Sequence, residues 1–199
     1  ALTPEEVPED LIRESKIFHF GSLSLTNEPA RSATKHALSL AKAADCLITY
    51  DPNYRPPLWS NVEEAVEQMK KPLPLVDILK ISKEELTLLF PGSEGEAVSA
   101  ILALGVRLVL VTDGGNGARL YTKSLRISRP ARNVHPVDTT GAGDIFFGTF
   151  LSPLLRRSLS LDSLREEDAA ACLETAISVS GKSTERPGGI ASIPDPSEL

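Results

Sequence analysis

Asp138-Thr139-Thr140-Gly141-Ala142-Gly143-Asp144 sets small residues between two carboxylates, and an apolar run, Ile145-Phe146-Phe147, follows at once. With no bulky side chains in the way, the backbone N–H groups of Gly141, Ala142 and Gly143 can face one concavity at the positive end of a helix. Such a concavity holds an anion. A phosphoryl group in transfer spreads its charge over its oxygens, so prepositioned donors stabilise its transition state more than its ground state. Asp144, at the rim, can take the proton of an attacking alcohol, which is general-base catalysis by position. The same residues also read as a glycine-rich turn with Asp144 capping the helix.

Three further segments carry polar groups at informative places. In Asp51-Pro52-Asn53-Tyr54-Arg55-Pro56-Pro57-Leu58-Trp59, Asp51 and Asn53 offer hydrogen-bonding oxygens, and Arg55 offers a planar cation suited to a phosphate or an oxyanion. The alternatives there are plain turn chemistry and a structural stack of Arg55 on Trp59. Ser82 with Glu85 three residues on spells a capping box. Thr112-Asp113-Gly114-Gly115-Asn116-Gly117 permits close backbone approach to a ligand, or else a tight hairpin turn. The histidines, His19, His36 and His135, show no ligand spacing and read as structural.

The elements that must position these groups alternate. Ile17 to Gly21, Leu47 to Asp51, Ile78 to Ile81 and Leu108 to Thr112 are β-rich runs. Ala30 to Ala44, Val62 to Lys70, Glu84 to Phe90 and Ala97 to Leu104 carry apolar residues at helical spacing. This order predicts an α/β fold with a mostly parallel sheet covered on both faces and ligands at the carboxyl ends of the strands. Ala118 to Thr122 and Leu125 to Ser128 predict a hairpin. Two longer helices then follow, Asp144 to Arg157, bent near Pro153, and Glu166 to Ser180.

With 199 residues and no shift in composition, one domain is expected, residues 1–199. No apolar run reaches the roughly 18 residues of a membrane span, so no membrane partner is expected. The acidic, proline-containing start lacks a secretory pattern. Two cysteines, Cys46 and Cys172, suit reduced buried thiols in a cytoplasmic protein. A net charge of -6 argues against a nucleic-acid surface.

The segment from Asp138 to Asp144 resembles the second signature of the PfkB (ribokinase-like) family of carbohydrate kinases, whose final Asp is the catalytic base. One departure is Thr149 after Gly148, where the family usually has a second small residue. Phe18-His19-Phe20-Gly21-Ser22 and the stretch from Asp51 to Trp59 are similar to segments of fructokinases and 2-keto-3-deoxygluconate kinases. Lys80 to Glu85 resembles the family's Asn-x-x-Glu region, with Ser82 in place of the Asn; there the Glu organises magnesium and phosphate through water. Thr112 to Gly117 resembles the nucleotide segment. Arg186 to Pro194 resembles the adenine-side loop, but the helix before it is poorly matched, so adenine contacts do not carry over.

The resemblance implies a ribokinase-like fold and ATP-dependent phosphorylation of a sugar, fructose first and 2-keto-3-deoxygluconate as the rival. A relative that keeps the fold as a non-catalytic binding or assembly module is the alternative from another class. Asp144 is then the base beside the hole of Gly141, Ala142 and Gly143. Thr112, Gly114, Gly117, Ser82 and Glu85 serve ATP and Mg2+, and Asn53 and Arg55 serve the sugar. Asp138, Thr140, Gly188 and Ser192 correspond to places where some members hold a potassium-like cation, which makes K+ an optional third cofactor. The family's opening segment, with its sugar-gripping Asp, Gly-Gly motif and lid strands, does not occur in this sequence. The N-terminal strands and lid are therefore expected to be missing, with little activity in this chain alone. A missing N-terminal segment and a second copy of the chain are the expected partners of the exposed sheet edge.

Overall fold

Leu47-Ile48-Thr49-Tyr50, Ile78-Leu79-Lys80-Ile81 and Leu108-Val109-Leu110-Val111 lack polar alternation, the pattern of strands buried on both faces. The computed structural model, which describes residues 2–195 and Ser197, places them so. The chain falls into two compact units, Ala1–Val111 and Thr112–Leu199.

The first unit runs α1 (Glu9–Arg13), β1 (Ile17–Gly21), α2 (Ala30–Ala43), β2 (Leu47–Asp51), α3 (Val62–Lys70), β3 (Ile78–Ser82), α4 (Lys83–Leu89), α5 (Glu94–Ala103) and β4 (Leu108–Thr112), which ends at the unit boundary. Its strands lie in the order β1-β2-β3-β4. β1 and β2 are parallel with Ile17 opposite Leu47 and Gly21 opposite Asp51; β2 and β3 are parallel with Thr49 opposite Ile78. Asp77 staples the strand starts: its carboxylate accepts the Ile48 N–H at 2.8 Å, and its carbonyl accepts those of Arg107 and Leu108. β1 and β2 end level, with the Ser22 N–H donating to the Pro52 carbonyl at 3.1 Å just beyond them, while β3 is offset by two residues and carries Ser82 past their ends.

Helix starts follow their caps. Asn61 accepts the Glu64 N–H for α3, and Ser82 with Glu85 and Ser93 with Glu96 form the capping boxes of α4 and α5. The buried face of α2, Ala33, Ala37, Leu38 and Ala41, repeats at helical spacing. Ile48, Ile78, Leu79, Ile81, Leu108 and Leu110 are fully buried and form the core of this unit. Fully burying one such side chain contributes about 1.5–3 kcal/mol.

The second unit holds β5 (Ala118–Tyr121) and β6 (Arg126–Arg129), an antiparallel hairpin, then α6 (Ala142–Arg156) and α7 (Glu166–Ser183). The Thr122 hydroxyl closes the hairpin turn by accepting the Ser124 and Leu125 N–H groups. Phe146, Phe147, Phe150, Leu151 and Leu154 of α6 are buried, as are Ala169, Cys172, Leu173, Ala176 and Val179 of α7. These two helices pack together, and α7 also packs on the hairpin. Asp168 locks their connection by accepting from Arg157 at 2.5 Å and Arg165 at 2.8 Å. Cys46 and Cys172 are both free and buried. Among the described residues, no helix is long and apolar enough to cross a membrane.

Candidate functional site

α6 begins without a side-chain cap. Its N-cap, Gly141, sits in the left-handed region at φ 77°, and a Cβ there would lie 3.1 Å from the Gly189 Cα. The Ala142 N–H is spent on the Thr139 carbonyl at 3.1 Å, and Ile145 is the first to bond within the helix, to the Gly141 carbonyl. Gly143 and Asp144 are therefore the first-turn donors with no intrahelical partner. Asp144 is exposed. Among the described residues its carboxylate has neither a hydrogen-bond nor an ion-pair partner. An unengaged carboxylate one residue after a free N–H donor, at the positive helix end, can take a proton beside a bound anion.

Asp138 ties this helix start to the loop after α7. Its Oδ1 accepts the Thr140 N–H and its Oδ2 the Gly188 N–H, both at 2.9 Å. The Gly188 backbone bond, with those from the Thr140 hydroxyl and backbone, lowers its pKa to about 2. The Ser192 hydroxyl donates to the Gly189 carbonyl at 2.8 Å. Asp138, Thr140, Gly188 and Ser192 thus lie in two joined loops. A monovalent cation there would share the Asp138 oxygens with two N–H donors, which their second lone pairs permit.

On the other side of the helix start is a cavity of about 290 Å³, near the lower limit of about 300 Å³ usual for ligand pockets. Thr112, Gly114, Gly115 and Gly117 line it with Ala142, Gly143, Phe146 and Ile177, Ser180, Gly181 and Thr184 of α7 and its end. The glycines of the turn divide in role. Gly117, at φ 97°, is demanded by the hairpin, since a Cβ would collide with the Arg129 carbonyl oxygen. A Cβ on Gly114 or Gly115 would meet nothing within 4 Å. The cavity is their surroundings. Ala131, Arg132, Val134 and Pro136 also line it, and sequence reasoning missed them along with the α7 residues. The available signal was Ile177, Ser180, Gly181 and Thr184 at three- and four-residue spacing, with a glycine admitting a close neighbour. A separate recess of about 350 Å³ flanks Asp144 with Ile145, Ile190 and Ile193.

In the first unit, Ser82 and Glu85 form the expected capping box: the Glu85 N–H donates to the Ser82 hydroxyl at 3.2 Å, and the Ser82 N–H donates to Glu85 Oε2 at 2.9 Å. Glu85 Oε1 accepts the Tyr54 N–H at 2.7 Å. Asn53 is left-handed at φ 48°. Arg55 is exposed and donates to the Tyr54 carbonyl at 3.2 Å, so it makes no stack on Trp59, which is buried. Lys80 donates to Asp51 at 2.8 Å in a buried pair between the strands that carry these segments. Tyr50, beneath them, has its pKa raised well above 10.0, by burial first and then by the charges of Glu85 and Asp51.

Hydroxyls, backbone donors and separate carboxylates suit a magnesium ion that keeps its waters and reaches the protein through nucleotide phosphates. Small-residue backbone around a cavity at a helix start suits the phosphates themselves.

The model of the pfkB family carbohydrate kinases matches residues 1–196. Probable fructokinase-5 of Arabidopsis thaliana is 39% identical over 199 residues, which are 99% of this chain and 61% of that protein. Fructokinase-2 of Solanum lycopersicum is 38% identical over 202 residues, covering 99% of this chain and 60% of the relative. The chain thus spans about 60% of the length of the curated relatives it matches. A fructokinase of Vibrio cholerae O395, solved with fructose, ADP and calcium, superimposes with a TM-score of 0.87 at 29% identity, over 99% of this chain and 63% of that one. The fructokinase of Xylella fastidiosa with bound ATP gives a TM-score of 0.90 at 27% identity, over 99% and 64%.

Proposed function

Because this chain belongs to the pfkB family of carbohydrate kinases, we propose that it carries the nucleotide-binding and catalytic part of an ATP:sugar phosphotransferase that acts on fructose. The observation that carries this reading is Asp144, exposed and unengaged in the first turn of α6 directly after Gly143. ATP with Mg2+ supplies the phosphoryl group and neutralises part of its charge. The Gly143 N–H and the helix end hold the oxygens of that group, and Thr112, Gly114 and Gly115 border the space for the nucleotide. Asp144 takes the proton of the acceptor hydroxyl as its oxygen attacks the γ-phosphorus, and the bond from that phosphorus to the bridging oxygen breaks to release Mg-ADP. Asn53 and Arg55 orient the acceptor, and Ser82 and Glu85 meet the hydrated metal.

Fructose is preferred as acceptor because the relatives named above are fructokinases. The chain alone binds Mg-ATP but turns over slowly, since the relatives carry further residues that it does not span, and transfer depends on excluding water and fixing the acceptor. The test is Asp144→Asn in a chain completed to the length of its relatives. Transfer to fructose falls by about 10²–10⁴ while Mg-ATP affinity is retained. Equal turnover in wild type and variant would end the assignment of Asp144. Turnover of 2-keto-3-deoxygluconate without turnover of fructose would move the substrate.

A further inference from the structure

Glu85 is 9% exposed and links two segments 31 residues apart, one oxygen accepting from Ser82 and the other from Tyr54. The capping box of α4 uses only one of these oxygens. The second reaches out of its own helix to the loop that follows β2. That loop has a backbone feature of its own: Asn53 is held at φ 48°, in the left-handed region that few residues other than glycine and asparagine adopt. Such backbone persists where surrounding contacts fix it. The fixing contacts lie on either side of Asn53. Before it, Asp51 is anchored by Lys80 at 2.8 Å; after it, the Tyr54 N–H is held by Glu85 at 2.7 Å. Arg55 then folds its guanidinium back on the Tyr54 carbonyl.

We propose that Glu85 is a positioning residue for the Asn53–Arg55 loop, its Oε1 fixing Tyr54 and thereby the backbone that presents Asn53 and Arg55. The acceptor-side consequence rests on the reading of Asn53 and Arg55 given above; the clamp itself does not. A glutamine at this place has one acceptor oxygen for two N–H donors, and its NH2 group would face the other donor.

The experiment is amide hydrogen exchange on the chain as it stands, in wild type, Glu85→Gln and Glu85→Ala. It is paired with titration of fructose 6-phosphate, read at the Asn53 backbone amide signal. Exchange of the Tyr54 amide should quicken by about tenfold or more in both variants, with the amides of β4 unchanged, which marks a local rather than global opening. The affinity for fructose 6-phosphate should fall several-fold in both variants and in Arg55→Ala. Unchanged Tyr54 exchange in folded variants overturns the clamp. Faster exchange with unchanged affinity, where Arg55→Ala does weaken binding, overturns the positioning role. If Arg55→Ala also leaves affinity unchanged, the acceptor-side reading of the loop has failed, and the quickened Tyr54 exchange still supports the clamp.

Discussion

Single residues at the helix start separate what the backbone requires from what a ligand requires. Gly141 is left-handed and close to the Gly189 Cα, so Gly141→Ala should destabilise the protein by about 1–2 kcal/mol through the backbone alone and also weaken Mg-ATP binding. Gly115 lines the cavity of about 290 Å³, has no positive φ, and would meet nothing within 4 Å as alanine. Gly115→Ala should leave thermal stability unchanged and lower Mg-ATP affinity, because its new methyl group enters space the nucleotide needs. Calorimetric titration beside thermal melts checks both variants. Unaltered affinity in Gly115→Ala would remove the cavity from the nucleotide site. The motif from Asp138 to Asp144 was legible in the sequence because its chemistry is contiguous. The bond from Asp138 to Gly188, 50 residues away, and that from Glu85 to Tyr54 were not, because no local spacing reports which loops a fold brings together.

At the level of elements, β1, β2 and β4 and helix α3 have the bounds the sequence predicts, because apolar runs and an asparagine cap mark their ends. Where the apolar pattern starts late, the prediction is short. α5 begins at Glu94, not Ala97, since the Ser93–Glu96 box starts the helix before its first buried residue. α7 runs on to Ser183, beyond the expected Ser180, continuing through Gly181. α1 has five residues and one buried side chain, too little periodicity to see. The α6–α7 connection carries a pH dependence. Bonds first from Arg165 and then from Arg157 hold the Asp168 pKa below its ordinary 3.8. Its contribution to stability is therefore present above pH 3.8 and is lost as the pH falls through the lowered value. Asp168→Asn should lower the melting temperature at neutral pH and flatten the acid limb of the stability curve. Parallel acid limbs in the two proteins would contradict it.

For the molecule as a whole, the strand order of the first unit leaves β1 with one strand neighbour, and its burial is the weakest of the four: His19 is exposed and Phe18 half-buried. An open strand edge with apolar surface recruits other strands. Sedimentation should therefore find concentration-dependent self-association, reduced by Ile17→Lys, which places a charge on the edge. A single-chain mass at every concentration would count against it. The location of the cavity of about 290 Å³ beside the start of α6, a cradle of small residues, has a different consequence, in the order of synthesis. All its lining residues fall between Thr112 and Thr184, while the strands β1 to β3 come earlier in the chain. A ribosome working from the N-terminus delivers the strand layer first and completes the cradle only when the end of α7 has emerged. On the reading that the cavity takes ATP, the nucleotide stabilises the finished protein by mass action but lends nothing to the first unit while it is nascent.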